Sequence, residues 1–185
     1  VIGCSGPVNS PYPARGDSRT VIYSAFDERP KHLDPARSYS ENEWVYLGNI
    51  YEPPLHYHYL KRPYQLEPLT AATMPTVRYF DEQSRALPSN AEPSRIALSE
   101  YEIRIKPGIR YQPHPCFARK ADGTQRYMPI DAAELARIDR FEAFPEKGSR
   151  ELVADDYVYQ IRRLANPRVQ SPVLGMMGDY ILGLK

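Results

Sequence analysis

Leu152-Val-Ala-Asp-Asp-Tyr-Val-Tyr-Gln-Ile-Arg-Arg-Leu-Ala165 carries the clearest helical pattern in the chain. Val158, Ile161 and Leu164 recur every three residues, with Tyr157 beside them, as one apolar helical stripe requires. Asp155 and Asp156 fall in the first turn and Arg162 and Arg163 in the last. That distribution complements the partial charges at the two ends of a helix. Pro167 cannot continue the helix, so the pattern predicts one over residues 154–165. Val153 stands at the cap position without a side-chain acceptor for the free amides.

Upstream lies Ser99-Glu-Tyr-Glu-Ile-Arg-Ile-Lys-Pro-Gly-Ile-Arg-Tyr111. Tyr101, Ile103 and Ile105 alternate with charged residues, which predicts a strand over residues 95–106 with one buried and one wet face. Pro107-Gly108 supplies a type II turn, whose second central residue needs a positive φ. Strands are also expected at residues 20–26, 55–60 and 76–80. In the second of these, alternation puts His56 and His58 on one face and Tyr57 and Tyr59 on the other. Ser40 followed by Glu43 is a capping box opening a helix over residues 40–52, with Trp44, Leu47 and Tyr51 on its stripe. Short helices are expected over residues 131–141 and from Ser171-Pro172 onward.

The chain has 185 residues, enough for one ordinary domain, and no apolar run long enough to span a bilayer. Lys and Arg number 24 against 23 Asp and Glu, a balance that argues against a nucleic-acid binder. Nineteen prolines interrupt the chain often, and 15 tyrosines suit surfaces that are part apolar and part hydrogen-bonding. Two cysteines, Cys4 and Cys116, form one disulfide or none and make no disulfide scaffold.

In order, His32-Leu-Asp-Pro35, Asn49-Ile-Tyr-Glu52, the 99–111 strand and turn, and Leu152 to Pro172 resemble the N-terminal part of bacterial extracellular solute-binding proteins of the oligopeptide, dipeptide and nickel class. These are the capture components of ABC importers. The resemblance runs from about Val21 to the end of the chain. It implies an α/β fold: part of lobe I of a type II periplasmic-binding-protein fold, a mixed sheet with flanking helices, incomplete as it stands. Residues 20–185 would be that partial lobe, and residues 112–152 an insertion relative to the family pattern. Val1-Ile-Gly-Cys4 resembles the end of a bacterial lipoprotein signal. Cys4 would then carry a lipid, and residues 1–19, rich in Pro, Gly and Ser, would be a tether.

The function implied is capture of oligopeptides or similar small solutes, delivered to a membrane ABC permease. The location implied is periplasmic or extracytoplasmic, with membrane association through Cys4. No covalent step, no cofactor and no metal are implied. Asp27, Glu28 and Arg29 follow the first strand, where open α/β sheets meet ligands, and are expected to bind the solute. Tyr51 and Met176 are expected to contribute aromatic and adaptable apolar contacts. The alternative is a truncated lobe that serves as a stand-alone protein-interaction module. A thiol enzyme built on Cys116 and His114 is a third reading, but the sequence carries no recognised catalytic motif. His56 and His58 share a strand face, yet two histidines are too few for a metal site without further ligands.

Overall fold

A computed structural model describes residues 28–184. The expected tether, Cys4, Asp27 and the strand at 20–26 lie outside the described residues. The elements run α1 (Glu41–Ile50), β1 (Leu55–Tyr57), β2 (Leu66–Pro68), β3 (Thr76–Phe80), β4 (Ala86–Leu87), β5 (Leu98–Glu102), α2 (Ala132–Leu135), α3 (Ala154–Leu164) and α4 (Leu174–Tyr180). Helices and small sheets are mixed, as an α/β class requires. Pairing is antiparallel throughout: β1 with β2, and β4-β3-β5. The expected mixed sheet is therefore not formed among the described residues. A parallel pair needs a crossover of a dozen or more residues, and β1–β2 and β3–β4 are joined by shorter loops.

Residues 69–72 tie the two sheets together. The Leu69 and Ala71 amides donate to the Pro54 carbonyl at 2.9 and 3.0 Å. On the other side the Ala72 amide donates to Arg104 and the Lys106 amide to Thr70, at 2.7 and 2.8 Å. The Lys106 ammonium also donates to the Leu69 carbonyl at 2.7 Å. Thr70 and Ala71 are consequently among the most buried residues described, at 1% and 0% exposure.

The main apolar cluster lies elsewhere. Leu164 at the end of α3, Ala36 and Leu184 form its centre. Val169, Val173, Leu174, Met177 and Ile181, around and within α4, pack against it. Only this end of the α3 stripe is buried, since Val158 and Ile161 remain exposed. The α1 stripe behaves likewise: Leu47 is buried while Trp44 and Tyr51 are exposed. Tyr101 and Ile103 of the expected inward face are exposed too. These are corrections to the sequence reading, with one physical reason. Periodicity reports which face is apolar, whereas burial requires something packed over it, and no described element covers these faces.

Other elements differ in extent. The strand expected over 55–60 stops at Tyr57, because His58 turns to accept the Leu60 and Lys61 amides on Nδ1. The helix expected over 131–141 divides into α2, capped by the Asp131 carboxylate, and a 3-10 turn over Phe141–Ala143. Gly108 adopts φ +81°, as the Pro-Gly turn predicts.

The stretch read as an insertion is closed at its base. The His114 and Gly148 backbones exchange hydrogen bonds of 2.8 and 3.1 Å, Tyr111 donates to Arg150 at 3.0 Å and Leu152 donates to Ile109 at 2.8 Å. Within the excursion, Arg126 bridges Glu134 at 2.7 Å and Glu146 at 2.9 Å. Gly148 is required at the neck, since a Cβ there would lie 2.2 Å from the Phe117 carbonyl oxygen. Gly148→Ala is expected to destabilise the chain by about 1–3 kcal/mol in urea unfolding, as overpacking against backbone does. Gly175→Ala, where a Cβ meets nothing within 4 Å, should leave stability unchanged or raise it.

Candidate functional site

Helix α1 begins with its acceptor already supplied. Glu43 is 3% exposed, and its carboxylate gathers donors from the whole approach to the helix. The Lys31 and His32 amides reach Oε1 at 3.0 and 2.9 Å, and the Ser38 hydroxyl reaches Oε2 at 2.6 Å. The Tyr39 and Ser40 amides complete the set at 3.3 and 3.5 Å. The Ser38 hydrogen bond first, then the His32 amide, hold the carboxyl far below the usual glutamate range despite burial. This fixes Lys31 and His32, at the end of the charged loop, against the N-terminal end of α1.

Beside that end lies a shallow apolar groove of about 440 Å³, lined by Pro35, Tyr39, Trp44 and Leu47. Its size falls within the range of about 300–1,000 Å³ common to small-molecule sites. Trp44, the one tryptophan of the chain, is 67% exposed on its wall. Glu28 and Arg29 are exposed, and they precede in sequence the Lys31 and His32 amides that bind Glu43. Tyr51 caps the opposite end of α1, about 15 Å along the helix axis. Met176 sits on α4 with its side chain exposed, while its neighbour Met177 faces the apolar cluster. Among the described residues, then, Glu28, Arg29, Tyr51 and Met176 are all exposed, and none of them lines the groove. Asp27 and Cys4 lie outside the described residues.

Trp44, Tyr39 and Pro35 were not singled out as ligand contacts in the sequence. The available signal was two large aromatics flanking a capped helix start. Trp44 instead counted toward the apolar stripe.

The elements around the groove are held by polar ties from α3. Arg163 grips Asp34 with both guanidinium nitrogens, one at 2.8 Å, across 129 residues of chain. That hydrogen bond, ahead of other causes, lowers the Asp34 pKa and raises that of Arg163, which also feels Tyr51 nearby. The Tyr157 hydroxyl lies 2.6 Å from Thr70 Oγ1 and donates to the Glu52 carbonyl at 2.9 Å. At the start of α3 the Asp156 carboxylate accepts the Val153 amide at 3.0 Å and pairs with Arg150. The carboxylate thus satisfies the amide of Val153 itself, while Val153 offers no side-chain acceptor to the first-turn amides.

The other chemical candidates resolve as follows. His56 Nε2 pairs with Glu67 across the β1–β2 ladder at 3.0 Å. His58 Nδ1 accepts two amides. No group of three His, Cys, Asp or Glu side chains suited to a metal comes together among the described residues. His114 Nδ1 accepts the Cys116 amide at 3.1 Å, which occupies that lone pair. Burial pushes the Cys116 thiol up, away from the thiolate that a nucleophile needs.

No protein-family model, curated protein or solved structure matches the chain.

Asp34, Glu43 and Asp156 all have folded pKa values below the ordinary 3.8 or 4.5. The folded state therefore binds fewer protons than the unfolded one in acid. Their stabilisation is complete above those ordinary values and is lost as pH falls through the folded ones. Unfolding free energy should be flat from neutrality to about pH 5 and fall below it. Glu43→Gln should start lower and fall less steeply, whereas an unchanged slope would remove Glu43 from this account. Tyr157→Phe is expected to cost about 1–2 kcal/mol in the same measurement, because Thr70 and the Glu52 carbonyl lose a shared partner.

Proposed function

We propose that this chain is part of the first lobe of a type II periplasmic-binding-protein fold. Its function on this reading is to capture oligopeptides or related small solutes for an ABC importer. One observation carries the reading. Polar ties of α3 join three of the four sequence segments that resemble that family, and the remaining one meets Leu152 just ahead of α3. Asp34 of the first pairs with Arg163 of the last, and Glu52 of the second accepts from Tyr157. The 99–111 segment meets the last where the Leu152 amide donates to the Ile109 carbonyl at 2.8 Å, and it reaches Thr70, the second partner of Tyr157, through Lys106. A shared scaffold would bring these segments together, and the contacts are in keeping with that reading.

On this reading the groove beside α1 is one wall of the solute cleft. Glu28 and Arg29, exposed just ahead of Lys31 in the chain, would supply charges of both signs for peptide termini. Trp44 and Tyr39 offer flat apolar surface that tolerates varied side chains. The perturbed carboxylates serve as fixed structural acceptors, so capture needs no covalent step, cofactor or metal, and the protein is not an enzyme. Location outside the cytoplasm, a lipid on Cys4 and docking on a membrane permease belong to the same proposal.

Trp44 provides the test, since its emission comes from the groove alone. Millimolar mixtures of short peptides should shift that emission to shorter wavelength and raise the melting temperature. Arg29→Ala should weaken the response severalfold, and free amino acids should give little. Unchanged emission and melting temperature across peptide lengths would overturn the reading.

The second reading, a protein-interaction module, is favoured by the exposed Trp44, Tyr101, Val158 and Ile161. It expects concentration-dependent self-association, or a stable complex with a partner, in sedimentation experiments without any peptide.

A further inference from the structure

The β1–β2 hairpin ends in a loop that is ordered by its own contacts yet holds its apolar side chains in water. The His58 amide donates to the Gln65 carbonyl at 2.8 Å, closing residues 58–65. His58 Nδ1 then accepts the Leu60 and Lys61 amides at 3.1 and 3.2 Å. Arg62 donates to the Lys61 carbonyl at 2.9 Å and lies 4.3 Å over the Tyr64 ring. Tyr64 meets Tyr57 edge-on with centroids 5.6 Å apart. Outside this frame Tyr59 is 86% and Leu60 76% exposed. Tyr57, Tyr64 and Leu66 are exposed beside them. Residues 53–66 contain Lys61 and Arg62 and no Asp or Glu. At the root, Glu67 is paired with His56, on the strand face opposite Tyr57.

We propose that this hairpin tip docks on an anionic lipid bilayer, with Tyr59 and Leu60 entering the headgroup region and Lys61 and Arg62 meeting the lipid phosphates. Tyrosine suits that depth because its ring is apolar and its hydroxyl stays wet. The two cations, unopposed by any carboxylate in the loop, complement a negative surface. The shape favours lipid over a protein partner. A stable protein interface uses roughly 20–30 residues a side. A convex tip of eight residues is far smaller, whereas a bilayer needs no matching shape. The tip is already ordered, so docking costs little further conformational entropy. Its base is bound to the core through the Pro54 carbonyl and residues 69–71, which would orient the body relative to the surface. This proposal does not rest on peptide capture, and its readout is separate from the emission of Trp44.

The test is sedimentation of the full chain with phosphatidylcholine vesicles, with and without phosphatidylglycerol. Cys4→Ser in all samples removes any lipid attached there. Binding is expected to the phosphatidylglycerol vesicles and to weaken with salt. Tyr59→Ser with Leu60→Ser should lower partitioning about tenfold or more. Lys61→Gln and Arg62→Gln should each lower it about fivefold. Tyr180→Ser with Leu182→Ser, equally exposed on and beyond α4, should leave it unchanged. No partitioning, equal partitioning to neutral vesicles, or equal losses in the α4 control would overturn the proposal. So would hairpin variants that bind vesicles as well as the unaltered chain, or that lose only self-association.

Discussion

The hydroxyl of Tyr157 is the contact on which the remaining structure depends. It meets Thr70, whose backbone stands between the hairpin base at Pro54 and Lys106, a few residues beyond β5, and it holds the Glu52 carbonyl just beyond α1. One side chain of α3 thereby links both sheets and the first helix. Its position is dictated by a requirement rather than by a large gain. Thr70 is buried, and without Tyr157 its hydroxyl would keep only the 3.3 Å contact to the Pro53 carbonyl. The same helix secures the approach to α1 through Asp34 and Arg163. A scaffold with few buried apolar residues thus takes its specificity from satisfied polar groups.

What the sequence disclosed and what it concealed divide along the range of the forces involved. α1 and α3 were legible nearly to the residue, because capping by Glu43 and Asp156 and the end charges act within one turn. The Gly108 turn was legible for the same reason, since its φ is a local demand. The inward face of β5 was not. Alternation identified Tyr101 and Ile103 as apolar, but burial depends on a covering element that local pattern does not contain. The expected mixed sheet failed similarly, because strand direction is settled by connections and partners distant in the chain.

At the candidate site the same division holds. Ser40 and Glu43 announced a cap, and the cap formed. That the Lys31 and His32 amides would complete it was unreadable, because their approach is a tertiary event. Glu28 and Arg29 were placed by position after an expected strand; both are exposed, and neither lines the groove. Tyr51 and Met176 were chosen for chemical type, and type alone did not bring them there. The groove aromatics were hidden by a helical stripe in which Trp44 looked like core.

The neck formed by residues 109–114 and 148–152 has a consequence for change over time. Paired backbones hold the two ends of the excursion at strand spacing, about 4.8 Å, whatever lies between them. Doubling the length of an unstructured loop between fixed ends costs only about 0.6 kcal/mol. Sequence on the far side of the neck is therefore joined to the α3 scaffold mainly through the neck itself, where Gly148 is fixed and the Phe117 ring meets Tyr111 and Arg150. Such a stretch can lengthen, shorten or acquire a new role by drift while the rest of the molecule keeps its geometry. It is also the natural place to graft a reporter.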